Sequence, residues 1–367
     1  MAKTKGLCEI CSPKQWKTIS TDMLTDGGYP VYGANGVIGC YSEYNHEEPT
    51  LLVTYRGATC GTLNICEPYS YVNGNAMALD NLTDEVDINF LYYYLLNRGF
   101  EDVITGSAQP QIVRQSLQKV SVTYPDKEKQ QEIVTTLEKM SKLIALRKEQ
   151  LAKLDQLVKS RFIELFGTGK YPIVKAADVC DFITKGTTPP TGEITEKYEI
   201  GMIPYLKVYN LSFTGELLFD SMPQYIPAET HNKQLARSKV VPNDVLMNIV
   251  GPPLGKFSLV TDEFPEWNIN QAIAIFRAKD RVLPRYLLAA LMQPDVLRPF
   301  LEQAVGIRQL NLSLEQCRNL EFPLPPIEEQ KAFVKFSEQT DKSKLVIQQS
   351  LDKLELLKKS LMQEYFG

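Results

Sequence analysis

Two stretches of the chain carry apolar residues three and four positions apart with no proline or glycine between their ends, the pattern of one face of a long helix. In the first, over 125–167, the apolar positions are Ile133, Leu137, Met140, Ile144, Leu151, Leu154, Val158, Phe162 and Leu165. In the second, over 325–367, they are Phe333, Phe336, Ile347, Leu351, Leu354, Leu357 and Leu361, with Thr340 in phase. Each stretch opens after proline, at Pro125 and at Pro325-Pro326. Asp126, Glu128, Glu328 and Glu329 then fall in the first turn, where carboxylates favour the helix dipole. The first stretch ends at Gly167 and the second at Gly367. A helix of about 40 residues is roughly 60 Å long, more than one globular domain can bury. The stripe of Leu137, Met140, Ile144, Leu151, Leu154 and Val158 is therefore expected to meet that of Ile347, Leu351, Leu354, Leu357 and Leu361 in an antiparallel coiled coil.

A shift of 200 residues lays 106–167 on 306–367 without a gap. It pairs Gly106 with Gly306, Gln109 with Gln309, Pro125 with Pro325, Glu128 with Glu328, Gln130 with Gln330 and Val134 with Val334, and it ends with Phe166-Gly167 on Phe366-Gly367. Such a repeat decides the architecture before any element is assigned. Upstream the match continues with small offsets: Gly57 and Gly61 on Gly251 and Gly255, and the NGNAMAL segment near 75 on NINQAIAI near 270. The chain is thus expected to be an α+β protein with pseudo-two-fold internal symmetry. Two mixed α/β modules, 1–124 and 168–324, alternate with the long helices 125–167 and 325–367. Within the modules TLLVTYRG, VLMNIVG and AIAIFRAK read as strands, and FLYYYLLNRG and PRYLLAALMQ as short helices.

The length of 367 residues, 44% hydrophobic and 23% charged, fits two ordinary domains. No apolar run approaches a membrane span and the N-terminus lacks a secretory signal, so a cytoplasmic protein is expected. Seven scattered cysteines do not make a disulfide framework. The Cys8-x-x-Cys11 pair lacks a second ligand pair for zinc, since His46 and His231 offer no convincing spacing, and no metal site is expected.

Catalytic patterns are missing. Gly251-Pro252-Pro253-Leu254 lacks the acid or amide and the aromatic ring of an amino-methyltransferase motif. Gly167-Thr168-Gly169-Lys170 lacks the spacing of a phosphate loop, and neither histidine lies in a nucleophile or base motif.

The alternation of module and long helix, the close of the first module on Gly-Ser-Ala-Gln-Pro-Gln-Ile (106–112), and the entry Pro-Leu-Pro-Pro-Ile-Glu-Glu-Gln (323–330) into the second helix resemble the specificity subunits of type I restriction-modification enzymes. The resemblance covers the whole chain. It implies a non-catalytic subunit in which each module reads one half of a split double-stranded DNA target and the helix pair sets the gap. Two methylation subunits and restriction subunits would dock on the scaffold, and S-adenosylmethionine, ATP and magnesium would belong to those partners. The first module is shorter than the second, so its half of the reading is expected to be simpler.

A net charge of -4 is unusual for a phosphate-binding protein. It suggests weak binding by the isolated chain, with a partner supplying positive surface. Base reading calls for Arg or Lys against guanine and Asn or Gln against adenine. In the turn-rich segments these are Arg56, Asn73, Asn75, Gln109, Gln111 and Arg114 in the first module. In the second they are Lys207, Tyr209, Asn210, Asn248, Lys256, Asn270, Arg308 and Gln309. Arg56 beside Gly57 and Lys256 beside Gly255 stand out as a matched pair. Leu143, Leu146 and Leu345, outside the seam, are expected to meet a partner. Two other classes stay open, a repeat adaptor that joins proteins without DNA and a self-contained DNA-modifying enzyme.

Overall fold

The computed structural model describes residues 2–106, 109–302 and 311–367. The two long periodic stretches form helices at Lys127–Phe166 and Ile327–Phe366, 40 residues each. Two compact units cut across both of them: one comprises 1–148 with 349–367, the other 149–348. The units therefore do not follow the four linear segments. Each module keeps the start of the helix that follows it and takes the end of the other.

In the first unit Ile133, Val134 and Leu137 share the module core with Met362, and Phe366 packs edge-on to Phe90 at 5.4 Å. In the second, Phe166 packs edge-on to Tyr286 at 5.2 Å, with Phe333 beside both. The two C-terminal phenylalanines, 200 residues apart, thus fill equivalent sockets. The helix segments run antiparallel within each unit. Lys148 meets Glu355 at 2.8 Å in the first. In the second, Asp155 meets Lys344 at 2.6 Å and Phe162 and Phe166 meet Phe333.

The inward positions are those of the apolar stripe with one exception. Leu137 is buried and Met140, 9% exposed, is nearly so, while Ile144, Leu151, Leu154 and Val158 are half-buried. Ile347, Leu351, Leu354 and Leu361 also face inward, but Leu357 is 49% exposed and the half-buried residue of that turn is Lys358. A helix with 3.6 residues per turn drifts away from a strict seven-residue repeat, so the stripe moves on by one position.

Each module is built on the same strand plan. A four-stranded antiparallel sheet has the order Ser12–Gln15, Ala76–Asp80, Leu51–Thr54, Leu63–Ile65 in the first. In the second the order is Cys180–Lys185, Ile273–Ala278, Val245–Asn248, Phe257–Leu259. A second sheet, three-stranded in the first module and four-stranded in the second, contains one parallel pair in each, Tyr29–Gly33 with Tyr71–Val72 and Ile203–Leu206 with Trp267–Ile269. A two-stranded ribbon ties the start of each module to its end, Lys3–Gly6 with Ser121–Tyr124 and Ile173–Lys175 with Glu321–Pro323. The short helices Ile88–Arg98 and Pro284–Leu291 lean on the long ones.

One buried glutamine locks each module to its helix. Gln130 Oε1 accepts from the Asp87 N–H, while its Nε2 donates to the carbonyls of Glu85 and Pro125. Gln330 repeats this with the Leu283 N–H and the carbonyls of Arg281 and Pro325. Both side chains are fully buried, so three otherwise unpaired backbone groups per unit depend on one residue.

Candidate nucleic-acid interface

At one end of each four-stranded sheet, glycine-bounded loops gather. In the first unit, strand Leu51–Thr54 runs into a loop whose Gly57 and Gly61 have φ of +94° and +92°. In the second, Val245–Asn248 runs into a loop whose Gly251 and Gly255 have +97° and +91°. A Cβ on Gly57 or Gly251 would meet nothing within 4 Å. The glycines are required by the left-handed backbone rather than by crowding.

Arg56 is exposed and pairs across an isolated bridge with Gln111. The Gly57 N–H donates to Pro110 O and the Ile112 N–H to Tyr55 O, which pins segment 110–112 beside the loop. Asn75, also exposed, precedes Ala76, whose register partner is Thr54, so it stands at the same end of the sheet. Thr54 Oγ1 donates to Ala34 O, which brings the 34–35 turn there too. Arg114 is exposed at the head of the four-residue helix Arg114–Leu117, and Gln109 is exposed next to the pinned segment.

Several predicted readers have their side chains committed elsewhere. Asn73, 3% exposed, accepts from the Ile19 and Gly74 N–H groups and donates to Ile19 O. Asn210, fully buried, accepts from the Lys207 N–H and donates to Leu218 O and Met222 O. Asn248, fully buried, donates to Pro253 O and accepts from the Lys256 N–H. These three act as internal loop braces, because asparagine imitates a backbone turn. Asn270 occupies the same turn as Asn73: each N–H donates to the adjacent strand, at Leu206 O and Tyr32 O, and Asn270 Oδ1 accepts from the Ala272 N–H. Tyr209 is half-buried; its hydroxyl has no hydrogen-bond partner and burial raises its pKa. Lys207 is half-buried. Arg308 and Gln309 lie outside the described residues.

Arg56 and Lys256 turn out not to be equivalent. The bridge that pairs Arg56 with Gln111 recurs as Val250 with Asn311. Lys256 instead stands on the far limb of its loop, half-buried, with its ammonium 5.7 Å from the ring of Phe213. Asn311 and the half-exposed Phe213 were missed. The 200-residue shift maps Gln111 onto Asn311 and was the available signal, whereas nothing in the sequence pattern marks Phe213.

Among the described residues no group of three or more His, Cys, Asp or Glu could hold a metal. In the Cys8-x-x-Cys11 pair, burial pushes the Cys11 thiol up to about 12, and its Sγ donates to Leu7 O. It is a protonated packing group. Glu85 is the most perturbed carboxylate of the first unit: hydrogen bonds from Tyr124, Lys5 and Lys3 lower its pKa to about 2, and it ties the N-terminal strand to the module's last one.

The family profile described as "Type I restriction modification DNA specificity domain" matches residues 1–156 and again 169–356. The chain belongs to that specificity family. Among relatives, the EcoprrI specificity subunit of Escherichia coli is 27% identical over 146 residues, 38% of this chain and 36% of that protein. A putative specificity subunit of Haemophilus influenzae is 25% identical over half of each. The chain thus spans about a third to a half of the length of these two. The MjaVIII specificity subunit of Methanocaldococcus jannaschii is 21% identical over 369 residues, 94% of this chain and 83% of that protein. In fold, this specificity-family chain resembles the S subunit of a type I system from M. genitalium. The TM-score is 0.59 at 17% identity, covering 100% of this chain and 96% of the other. Two family matches on one chain coincide with the two strand plans described above.

Proposed function

We propose that the chain reads a split double-stranded DNA site for a type I restriction-modification complex and performs no chemistry itself. Each module would read one half through the loops at the end of its four-stranded sheet. The long helices would set the gap and dock two methylation subunits, with restriction subunits joining the assembly. S-adenosylmethionine would then belong to the methylation subunits, and ATP and magnesium to the restriction subunits.

The observation that carries this reading is a contrast at matched positions. One loop frame presents Arg56, Asn75 and Gln111 in the first unit; the same frame presents Val250, Ala272 and Asn311 in the second. Arginine suits guanine and the amides suit adenine, so two different half-sites are expected, as half-site geometry follows protein symmetry. Gln109 and Arg114 would extend the first reading face, and Lys256, with Phe213, the second. Half-buried Lys207, Tyr209 and Asn270 would shape the second face from behind. The family membership supports the same assignment, as do exposed helix residues suited to a partner: Leu143 and Leu146 in the first unit, Leu345 and Val346 in the second.

The test is co-expression with a type I methylation subunit followed by mapping of methylated bases across a genome. A motif with two short, different specified ends and a fixed unspecified gap is expected. An unsplit motif, or no stable complex, would return the chain to the protein-adaptor reading.

A further inference from the structure

Within the second unit, a cavity of about 580 Å³ opens between the short helix Pro284–Leu291, the antiparallel long-helix segments and the module loop 214–217. Its size lies in the range of small-molecule sites. One wall is held close by Gly215, at φ +87°, where a Cβ would stand 3.0 Å from Leu288 and 3.2 Å from the Met292 sulfur.

In the first unit the matching angle is filled by a side chain, for a reason the repeat makes plain. The Gln130 and Gln330 locks set the two short helices in register at a shift of 196, with Asp87 matching Leu283. Tyr93 therefore corresponds to Ala289. Tyr93 is 7% exposed; its hydroxyl lies 3.4 Å from Ser141 Oγ, and the Lys358 ammonium lies 5.7 Å from its ring. At the 200-residue shift those two neighbours become Asp341 and Val158, and both line the cavity, as does Ala289. The aromatic ring that fills this angle in the first unit is missing from the second.

The space is also chemically prepared. Gln293, 6% exposed, lines it. Its Nε2 donates to Ala289 O, which fixes the amide orientation because the amide oxygen has no hydrogen to donate to a carbonyl, and leaves the buried Oε1 without a donor. Nearby, Lys344, only 11% exposed, is held by Asp155, Asp341 and Glu216, and Arg285 pairs with Asp341. With Lys159 and Asp262 the lining carries four carboxylates against three cations.

We propose that this cavity is a binding site for a small aromatic ligand bearing a hydroxyl or amine donor. The ring takes the place that Tyr93 occupies in the first unit, against Val158, Leu288 and Ala289. The donor satisfies Gln293 Oε1, and the acidic excess favours a ligand with a positive rather than a negative charge. The wall formed by 214–217 follows directly on Phe213 of the proposed second reading face, but the site does not rest on that assignment.

Tyramine serves as the probe, with toluene as a ring without donors, measured on the full chain by saturation-transfer NMR and by thermal shift. Saturable tyramine binding is expected. Ala289→Tyr, which rebuilds the first unit's filling, should abolish it for both probes while keeping or raising the melting temperature. Gln293→Leu should weaken tyramine about tenfold, the size of one lost hydrogen bond, and leave toluene unchanged; this second variant also decides the matter if the first fails to fold. No saturable tyramine signal, or binding that survives both substitutions, would overturn the proposal.

Discussion

Asn73 in the first unit and Asn270 in the second occupy the same turn, each donating its N–H to a strand carbonyl and bracing the next residues with its side-chain oxygen. Arg56 and Val250 occupy the same bridge and share nothing chemically. The difference between these two pairs separates frame from face. At Gln130 and Gln330, where one side chain completes three backbone hydrogen bonds, the identity repeats, because losing it would strand several buried groups. Where it projects from a loop, the frame constrains only its position. The second unit also carries longer connecting segments between the first and second strands in sequence of the four-stranded sheet that ends at its glycine loop, 186–244 against 16–50. It holds them with a buried polar set of its own: His231, Asn268 and Ser238, the last two 2.9 Å apart.

The sharpest break of the comparison is at Arg277, whose guanidinium grips Asp244, 1% exposed, at 2.7 and 2.8 Å. Its register counterpart in the first unit, by strand position, belongs to a different arrangement in which Asp80 accepts from Trp16 and faces His46. Arg277→Ala leaves a buried charge unpaired and is expected to cost about 3–5 kcal/mol, with urea denaturation showing the loss. Next come Gln130→Leu and Gln330→Leu. Each strands an N–H and two carbonyls, an expected cost of roughly 2–4 kcal/mol. Equal losses would support the repeat as a structural equivalence, and a loss under half as large at one site would break it.

A smaller effect is expected at the proposed reading face. Arg56→Ala in the assembled complex should cost about 1–3 kcal/mol of discrimination. Sequencing of methylated sites should show relaxation in one half of the motif only; relaxation in both halves would contradict the division of labour between modules. The least effect concerns pH. Burial holds the pKa of His231 below its ordinary 6.5, and the ring is neutral, with Nδ1 accepting from Asn268 and Nε2 donating to Glu266. The neutral ring's contribution is whole above about pH 6.5. As pH falls from there to the folded-state value, the unfolded chain takes up the proton first and stability is lost. His231→Gln should flatten that part of a stability-against-pH curve, and an unchanged slope would show that other groups set it.

The long helices and the repeat were legible because helical periodicity and a constant shift are properties of the sequence itself. The strands around 51–54, 245–248 and 273–278 and the short helices were legible for the same reason. The candidate readers were less so. Asn73, Asn210 and Asn248 have the residue type that bonds adenine, but asparagine is equally the residue that braces a turn, and only burial separates the two uses. Arg56 and Lys256 looked matched because each adjoins a glycine; the strand register shows them on opposite limbs.

By itself the sequence determined where the chain turns helical, that it does so twice, and which polar residues were chemically able to read a base. Tertiary structure alone decided which of them face solvent, that each long helix ends in the other module's core, and that Ala289 leaves a cavity where Tyr93 fills one. The physical reason is range. Helix periodicity and turn chemistry act over a few residues, while burial, pairing and empty volume depend on which distant residues arrive at the same place.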